Sequence, residues 1–109
     1  MSEVVLVLST VPNDESAEQL VQTLVDERLA ACINMSAPIV STYRWQGKIE
    51  HDVERQLTIK TTRATLPALH ARLVELHSYE LPEFIVIDVH AGSSDYLAWV
   101  ARETSATHQ

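Results

Sequence analysis

The stretch IVSTYRWQGKIEHDVERQLTIKTT, residues 39–62, decides the fold of this chain. Its middle, Gln46-Gly47, predicts a tight reversal, because glycine tolerates the positive φ that two-residue hairpin turns require. Beyond the turn, apolar residues such as Leu57 alternate with polar residues such as Glu54 and Lys60. Because successive side chains of a strand point to opposite faces, this alternation predicts a β-hairpin with one apolar and one polar face.

The arms of this hairpin are long for a small domain. The second arm is predicted to run for roughly a dozen residues, or about 40 Å at ~3.3 Å per residue. A globular chain of this length has a radius of gyration of only about 13 Å. A two-stranded ribbon on its own is marginally stable in water. We therefore expect another subunit to cover the hairpin.

Composition limits the classes of partner. With 109 residues, 46% of them hydrophobic, the chain is expected to form a single domain over 1–109. The net charge of −7 argues against nucleic acid as a partner, because binding to phosphates requires a basic face. The sequence contains no run of some eighteen apolar residues, so we expect no membrane span. The first residues lack a signal-peptide pattern, so we expect a cytoplasmic location.

Hydrophobic periodicity predicts the order β-α-β-β-α-β followed by a short helix. Two right-handed βαβ crossovers that share one sheet indicate an α+β fold, a ferredoxin-like βαββαβ sandwich. Pro38 predicts an edge position or a bulge in the second strand. The predicted segments are a strand over Val4–Val11, a helix after the capping pair Asn13-Asp14, a strand opening at 30–33, the hairpin, a helix over Ala64–His77, a strand over Phe84–Ala91, a helix over Asp95–Glu103 and a frayed tail over 104–109.

No constellation of catalytic residues stands out. The chain lacks a G-x-S-x-G elbow, and its two glycines exclude the common phosphate-binding loops. Ser93 and Ser94, which follow Gly92, are predicted to cap the last helix. Cys32, the single cysteine, is expected to be a small buried core residue, with a metal-binding role as the weaker alternative. We therefore expect that the protein is not an enzyme.

A candidate ligand cleft is predicted where the polar face of the hairpin meets the connector 78–83. Titratable and aromatic groups that converge at a strand–loop junction suit a small ligand or an ion. The alternative is an ion-paired seam between subunits, in which Lys60 neutralises a carboxylate and the aromatic side chains pack. The residues predicted to form the cleft are Tyr43, Trp45, Glu54, Lys60, Tyr79 and Glu80.

Five stretches of the chain form recognisable blocks: LAACIN (29–34), STYRWQGKIE (41–50), LTIKTT (57–62), HSYELPE (77–83) and DYLAWV (95–100). Together they resemble CutA, the divalent-cation tolerance protein family. The resemblance covers nearly the whole chain and implies a ferredoxin-like protomer in a homotrimer that is built through the long hairpins. It also implies a role in the tolerance and binding of copper and other divalent ions. The fold and trimer are similar to those of the PII nitrogen signalling proteins, which implies an alternative, a small ligand held between subunits.

The resemblance also identifies positions where family members carry metal ligands. Ser9 replaces a cysteine and Leu76 replaces the first histidine of a pair, so that only the imidazole of His77 is kept. A single imidazole with a hydroxyl is a poor site for a soft copper ion, which prefers thiolate and thioether ligands. Asp88 and His90 share a strand face, where we expect an ordinary ion pair or a replacement metal pair. A divalent ion is therefore expected to bind weakly, with His77 as the best single ligand.

Three functional hypotheses follow from the sequence. The first is a trimeric, non-enzymatic protein of divalent-ion tolerance that binds metal weakly. The second is a binding or signalling module that holds a small ligand in the cleft between subunits. The third is a scaffold that presents the trimer to membrane or redox partners, and it predicts no ligand at all.

Overall fold

The computed structural model describes residues 3–105, which form a five-stranded antiparallel sheet with two helices on one face and a third helix on the other. The strands lie in the order β2-β4-β1-β5, and β3 also pairs with β4. This α+β order agrees with the sequence prediction. The elements are β1 (Val4–Pro12), α1 (Glu15–Asp26), β2 (Cys32–Met35), β3 (Ile39–Trp45), β4 (Lys48–Thr62), α2 (Leu66–Leu76), β5 (Ile85–Asp88) and α3 (Ser94–Glu103).

Strand β4 is the centre of the sheet, but its two halves have different neighbours. The half that ends at Thr62 pairs with β1 on one side, from Pro12↔Glu54 to Val4↔Thr62, and with β2 on the other. The half that starts at Lys48 pairs with β3 alone, as far as Ile39↔Glu54. Glu54 therefore lies at the point where β4 leaves the sheet and continues as the arm of a hairpin.

The hairpin turn has the predicted geometry. Gln46 has φ 51° and Gly47 has φ 82°, so both central residues lie in the left-handed region. Two consecutive positive φ angles are typical of the type I′ turn, whose twist matches that of the flanking strands. A Cβ atom added to Gly47 would meet no atom within 4 Å apart from those of Gly47 and its two chain neighbours. Glycine is favoured here for its backbone conformation, and not because space is short.

Pro38 lies in the bulge that the sequence predicted. Met35 pairs with Leu57 and Ile39 pairs with Glu54, so three residues of one strand face two residues of β4. The backbone N–H of Ser36 donates to the carbonyl of Gln56, and Ser36 Oγ accepts from the Gln56 N–H at 2.8 Å. These bonds hold the bulge closed across a position where proline has no N–H to offer.

The core lies between the sheet and helices α1 and α2. Leu57 and Ile59 of β4 and Leu69 and Leu73 of α2 are fully buried. Arg72 joins the two helices through a two-pronged ion pair with Glu27, with both N–O distances at 2.9 Å. The whole buried cluster comprises Val7, Val11, Ala17, Leu20, Leu24, Leu29, Ala30, Leu57, Ile59, Leu69 and Leu73.

Strand β5 differs from its prediction. The sequence predicted an apolar strand over Phe84–Ala91, whereas only Ile85–Asp88 forms a strand, because β1 pairs with these four residues alone. All four are exposed, since β5 is an edge of the sheet. Ile85 is 50% exposed and Ile87 is 41% exposed. An apolar sequence thus marks a strand here that the single chain leaves uncovered.

Several element ends also shift. The helix predicted over Ala64–His77 begins with a 3-10 turn at Arg63–Thr65 and is α-helical over Leu66–Leu76. The tail predicted to fray from residue 104 is anchored at first: the Thr104 hydroxyl donates to the Val100 carbonyl, and the Ser105 N–H donates to the Arg28 carbonyl. Residues 106–109 of that tail lie outside the described part of the chain. Within residues 3–105, no helix is long and apolar enough to cross a membrane.

Candidate functional site

A cleft of about 610 Å³ lies between the hairpin and the connector 79–83. Five of the six residues predicted to form a cleft line it, namely Tyr43, Trp45, Glu54, Tyr79 and Glu80. The sixth, Lys60, does not. The complete lining is Thr10, Ser41, Tyr43, Arg44, Trp45, Asp52, Glu54, Tyr79, Glu80, Leu81, Pro82 and Glu83.

The register of the hairpin explains why its side chains meet here. Ser41 pairs with Asp52, Tyr43 pairs with Glu50, and Ile39 pairs with Glu54. Paired residues in antiparallel strands point to the same face, and alternate residues of one strand share a face. Ser41 and Tyr43 therefore lie on the same face of the ribbon as Asp52 and Glu54, and this face borders the cleft.

At the base of the cleft a tyrosine holds a buried carboxylate. Tyr79 Oη donates to Glu54 Oε1 at 2.9 Å, and Glu54 is only 8% exposed. Burial, and then the bond to Glu54, raise the pKa of Tyr79 above its ordinary value. The phenol therefore stays protonated at neutral pH and serves as a donor. This contact ties the connector to β4 at the point where β4 leaves the sheet.

A second bond of the same kind lies further out on the arm. Tyr43 Oη donates to the carboxylate of Asp52. This bond, with smaller contributions from burial and from the charges of Asp52, Glu50 and Glu54, raises the pKa of Tyr43 to about 12. Two carboxylates on one strand face thus each accept a bond from a neutral phenol.

Lys60 lies elsewhere. It shares a strand face with Glu54, but six residues of strand separate the two by about 20 Å at ~3.3 Å per residue. Its Nζ lies 5.7 Å from the centroid of the Tyr96 ring on α3, a cation–π distance. Within residues 3–105, Lys60 forms no ion pair with a cleft carboxylate, and the predicted ion-paired seam between subunits stays a prediction.

Both ring nitrogens of His77, the predicted metal ligand, are engaged. The N–H of Tyr79 donates to Nδ1 at 3.1 Å, and Nε2 lies 2.7 Å from the carbonyl oxygen of Thr10. Because Nδ1 accepts, Nε2 must carry the proton and donate to Thr10. In this arrangement neither nitrogen offers a lone pair to a metal. His77 links the end of α2 to β1.

The other metal positions are also occupied by structural contacts. Ser9 is fully buried and its Oγ donates to the Glu83 carbonyl at 2.7 Å. Leu76 packs against the core, and Cys32 is half-buried on β2, not in the core as predicted. Asp88 is paired with Arg63 at 2.6 Å and not with His90. Across residues 3–105, no three His, Cys, Asp or Glu side chains lie together as a metal site.

Sequence reasoning missed several residues of the cleft, and only some of them carried a signal. Asp52 is two residues before Glu54, so strand alternation alone places it on the same face. Thr10 carried no such signal, because only the pairing of β1 with β4 brings it to the cleft. Leu81 and Pro82 follow Glu80 in the connector and line the cleft with it.

Comparisons with known proteins identify the family. The model of the family described as CutA1 divalent ion tolerance protein matches residues 5–103. The divalent-cation tolerance protein CutA of Thermus thermophilus is 42% identical over 95% of this chain and 99% of its own length. The chloroplastic protein CutA of Arabidopsis thaliana is 39% identical over 92% of this chain, which spans 55% of that protein.

Solved structures agree with this assignment. The crystal structure of CutA from Xylella fastidiosa has a TM-score of 0.91 and 48% sequence identity, and the alignment covers 95% of this chain and 100% of that one. The family description names tolerance of divalent ions and no catalysed reaction. The chain belongs to the CutA1 divalent ion tolerance protein family.

Proposed function

We propose that the chain serves divalent-ion tolerance as a homotrimer whose subunits are joined through the hairpins. The observation that supports this assembly is the exposed apolar face of the hairpin arm. Val40 is 70% exposed, and Ile49 and Val53 are each 55% exposed. They lie on the face opposite the cleft, and α1 and α2 cover only the sheet half of that face. Val40 and Val53 pair directly across the two strands, and exposed apolar surface of this kind is typical of an interaction site.

A second exposed apolar surface offers a partner for the first. Ile85, Val86 and Ile87 of the edge strand β5 are between 39% and 50% exposed. A contact between two different surfaces of identical chains is heterologous, and such contacts close into rings when the rotation permits. The resemblance to CutA implies a ring of three.

Sedimentation of a charged variant tests the assembly. Val53→Lys places an ammonium group on the apolar face of the arm, and we expect it to sediment as a monomer at micromolar concentration. Val74→Lys is the matched control, because Val74 is similarly exposed at 48% but lies on α2. The control is expected to remain trimeric. A wild-type protein that sediments as a monomer would refute the proposal.

A second candidate function is the binding of a small ligand in the cleft. The observation that favours it is the convergence of five predicted residues on a cleft of about 610 Å³, within the usual size of small-molecule sites. A thermal-shift screen with cationic, anionic and neutral compounds tests it, because a ligand that binds only the folded protein raises its melting temperature. No shift with any compound would favour the scaffold hypothesis.

Copper binding at His77 stays a prediction, and a copper ion would have to compete with the hydrogen bonds of the imidazole ring. A metal at either nitrogen would have to displace the Tyr79 N–H or the Thr10 carbonyl. Titration calorimetry with Cu(II) and Zn(II) compares wild type with His77→Ala and with His70→Ala, an exposed histidine outside the cleft. Identical isotherms for the three proteins would remove His77 as a ligand.

The cytoplasmic location also stays a prediction. The relative from Arabidopsis thaliana is named chloroplastic, which is a different compartment from the one expected here. Fractionation of cells that express the native protein is the direct measurement.

A further inference from the structure

Glu54 is a buried carboxylate that lacks a cationic partner among the described residues. It is 8% exposed, and within residues 3–105 its carboxylate accepts a single hydrogen bond, from the phenol of Tyr79. None of the ion pairs formed within residues 3–105 includes it. Buried carboxylates are normally paired with a cation or coordinated by a metal. The reason is that removing an isolated charge from water costs roughly several kcal/mol.

One oxygen of Glu54 remains open for such a partner. Oε1 accepts the bond from Tyr79, whereas Oε2 accepts none from any described residue. Glu54 lines the cleft, and no buried side-chain oxygen within the described chain is left without a hydrogen bond. Oε2 is therefore not sealed in the protein interior, and the cleft is an open volume that Glu54 borders.

The rest of the cleft also favours a cation. Its lining includes four acidic residues, and the one basic residue, Arg44, pairs with Ile49 and so points to the opposite face of the ribbon. Arg44 forms no ion pair with any residue in the described part of the chain. Arg55 donates to the Ser36 carbonyl and Lys60 lies against the Tyr96 ring, so neither cation is placed at a cleft carboxylate. The carboxylates of the lining belong to Asp52, Glu54, Glu80 and Glu83.

The aromatic lining indicates which kind of cation fits. Tyr43, Trp45 and Tyr79 border the cleft, and Leu81 with Pro82 adds apolar surface. Aromatic rings attract ammonium and guanidinium groups through their negative faces, and apolar surface suits the carbon chain of an organic ligand. A bare metal ion gains nothing from either feature. In addition, no three His, Cys, Asp or Glu side chains within residues 3–105 are grouped so that they could coordinate a metal ion.

We propose that the cleft binds a small organic cation with an ammonium or guanidinium group, which pairs with Glu54 Oε2 beneath the rings of Tyr79 and Trp45. This inference rests on the second proposed function, ligand binding in the cleft, and it specifies the charge of the ligand. Asp52 is the second carboxylate for a ligand with two cationic ends. Its bond from Tyr43 orients it on the same strand face.

Titration of the intact protein with agmatine, which carries one guanidinium and one ammonium group, tests the proposal. Calorimetry and the fluorescence of Trp45 and Trp99 report binding, and glutarate serves as the anionic probe of similar length. Glu54→Gln keeps the shape of the side chain and the Tyr79 contact, yet removes the charge. We expect it to weaken agmatine binding at least about tenfold, the loss typical of a charge-assisted pair.

Glu18→Gln is the matched control, because it removes the same charge from an exposed position on α1 outside the cleft. It is expected to bind agmatine as wild type does. Thermal melts establish that both variants fold. Equal agmatine affinity in wild type and Glu54→Gln would overturn the assignment of Glu54.

The two levels of the proposal fail in different ways. Binding of glutarate but not agmatine would keep the ligand-binding function and overturn the charge of the ligand. Binding of neither probe, with no shift in the thermal screen, would overturn both. If wild type binds no agmatine and Glu54→Gln dissociates the trimer, a Lys or Arg side chain of a second copy occupies the cleft. That outcome would also overturn the small-molecule proposal.

Discussion

Ile59 and Ile49 belong to the same strand and the same strand face, yet their surroundings are opposite. Ile59 is fully buried between β1 and β2, in the core cluster that includes α1 and α2. Ile49, ten residues earlier on β4, is 55% exposed and pairs only with Arg44 on β3. The alternation of side chains is unbroken between them, so the difference lies in what covers the strand.

The comparison separates two kinds of information in a strand sequence. Alternation states which residues share a face, and the face of β4 that carries Ile59 in the core also carries Val53 and Ile49 in the arm. The cover of that face depends on the length of the helices and on neighbouring subunits. Where the helices end, an apolar residue such as Val53 remains exposed in the single chain. This uncovered half is the reason to expect assembly.

The largest expected effect comes from truncating the two isoleucines. Ile59→Ala should lower the free energy of unfolding by about 2–5 kcal/mol, because it removes buried contacts and leaves a cavity. Ile49→Ala should act only through association of the subunits. Thermal melts over about a hundredfold range of protein concentration separate the two, since a contribution from association varies with concentration.

The two isoleucine variants can contradict the proposed difference between the buried and exposed halves of β4 in either direction. The loss of stability caused by Ile59→Ala is expected to be the same at every protein concentration. The loss caused by Ile49→Ala should change with dilution. If Ile49→Ala melts like wild type at all concentrations, the arm of the hairpin is not part of an interface. If, in the dissociated protein, Ile49→Ala lowers the free energy of unfolding as much as Ile59→Ala does, the arm is covered within the single chain.

The next largest effect concerns the turn at the end of the arm. Gly47→Ala is expected to cost about 1–2 kcal/mol, because an L-residue at φ 82° brings its Cβ close to the backbone. Apart from Gly47 and its two chain neighbours, no residue has an atom within 4 Å of that Cβ, so the cost is conformational. Gln46→Asn is the companion variant, since asparagine tolerates positive φ better than glutamine does.

Urea unfolding measures both turn variants. Gln46→Asn should unfold at the same or a higher urea concentration than wild type, and Gly47→Ala at a lower one. A neutral Gly47→Ala would show that the arm unfolds locally without loss of the sheet. The difference in local stability between the tip of the hairpin and its base in the sheet would then be larger than burial alone suggests.

Much of the fold could be predicted from local patterns. The hairpin turn followed from Gln46-Gly47, and the bulge followed from Pro38, because each reflects a backbone restriction of a single residue. The extent of β5 could not be predicted. Its apolar residues suggested a strand over Phe84–Ala91, but strand length is set by the partner, and β1 pairs only with Ile85–Asp88.

The site could be predicted only where local rules reach. Strand alternation and the chain neighbourhood of Tyr79 placed most of the cleft residues together. Lys60 was misassigned because a shared strand face says nothing about distance along the strand. The contacts of His77 with Thr10 depend on how α2 meets β1, which no pattern in the sequence records.

Two phenol–carboxylate bonds extend the comparison to polar contacts. Tyr79→Phe removes the donor to Glu54, a residue that is 8% exposed, and should cost about 1–3 kcal/mol, because it leaves a buried acceptor unsatisfied. Tyr43→Phe removes the donor to Asp52 on the exposed arm, where water replaces the bond, and a smaller cost is expected. Urea unfolding of both variants gives the difference directly. Equal costs would mean that the arm is as well shielded from water as the base.

The smallest expected effect appears at alkaline pH and concerns Tyr43. Its pKa is raised from 10.0 to about 12, so the folded chain holds this proton more tightly than the unfolded chain does. The contribution to stability is therefore complete below pH 10 and is lost as the pH rises through about 12. Wild type should lose more stability over this range than Tyr43→Phe. The near-ultraviolet absorbance of tyrosinate should show one late-titrating phenol fewer in the variant. If Tyr43 ionises near pH 10 in the folded protein, its bond to Asp52 does not persist in solution, and the outer arm is held only by its backbone ladder and by whatever subunit covers it.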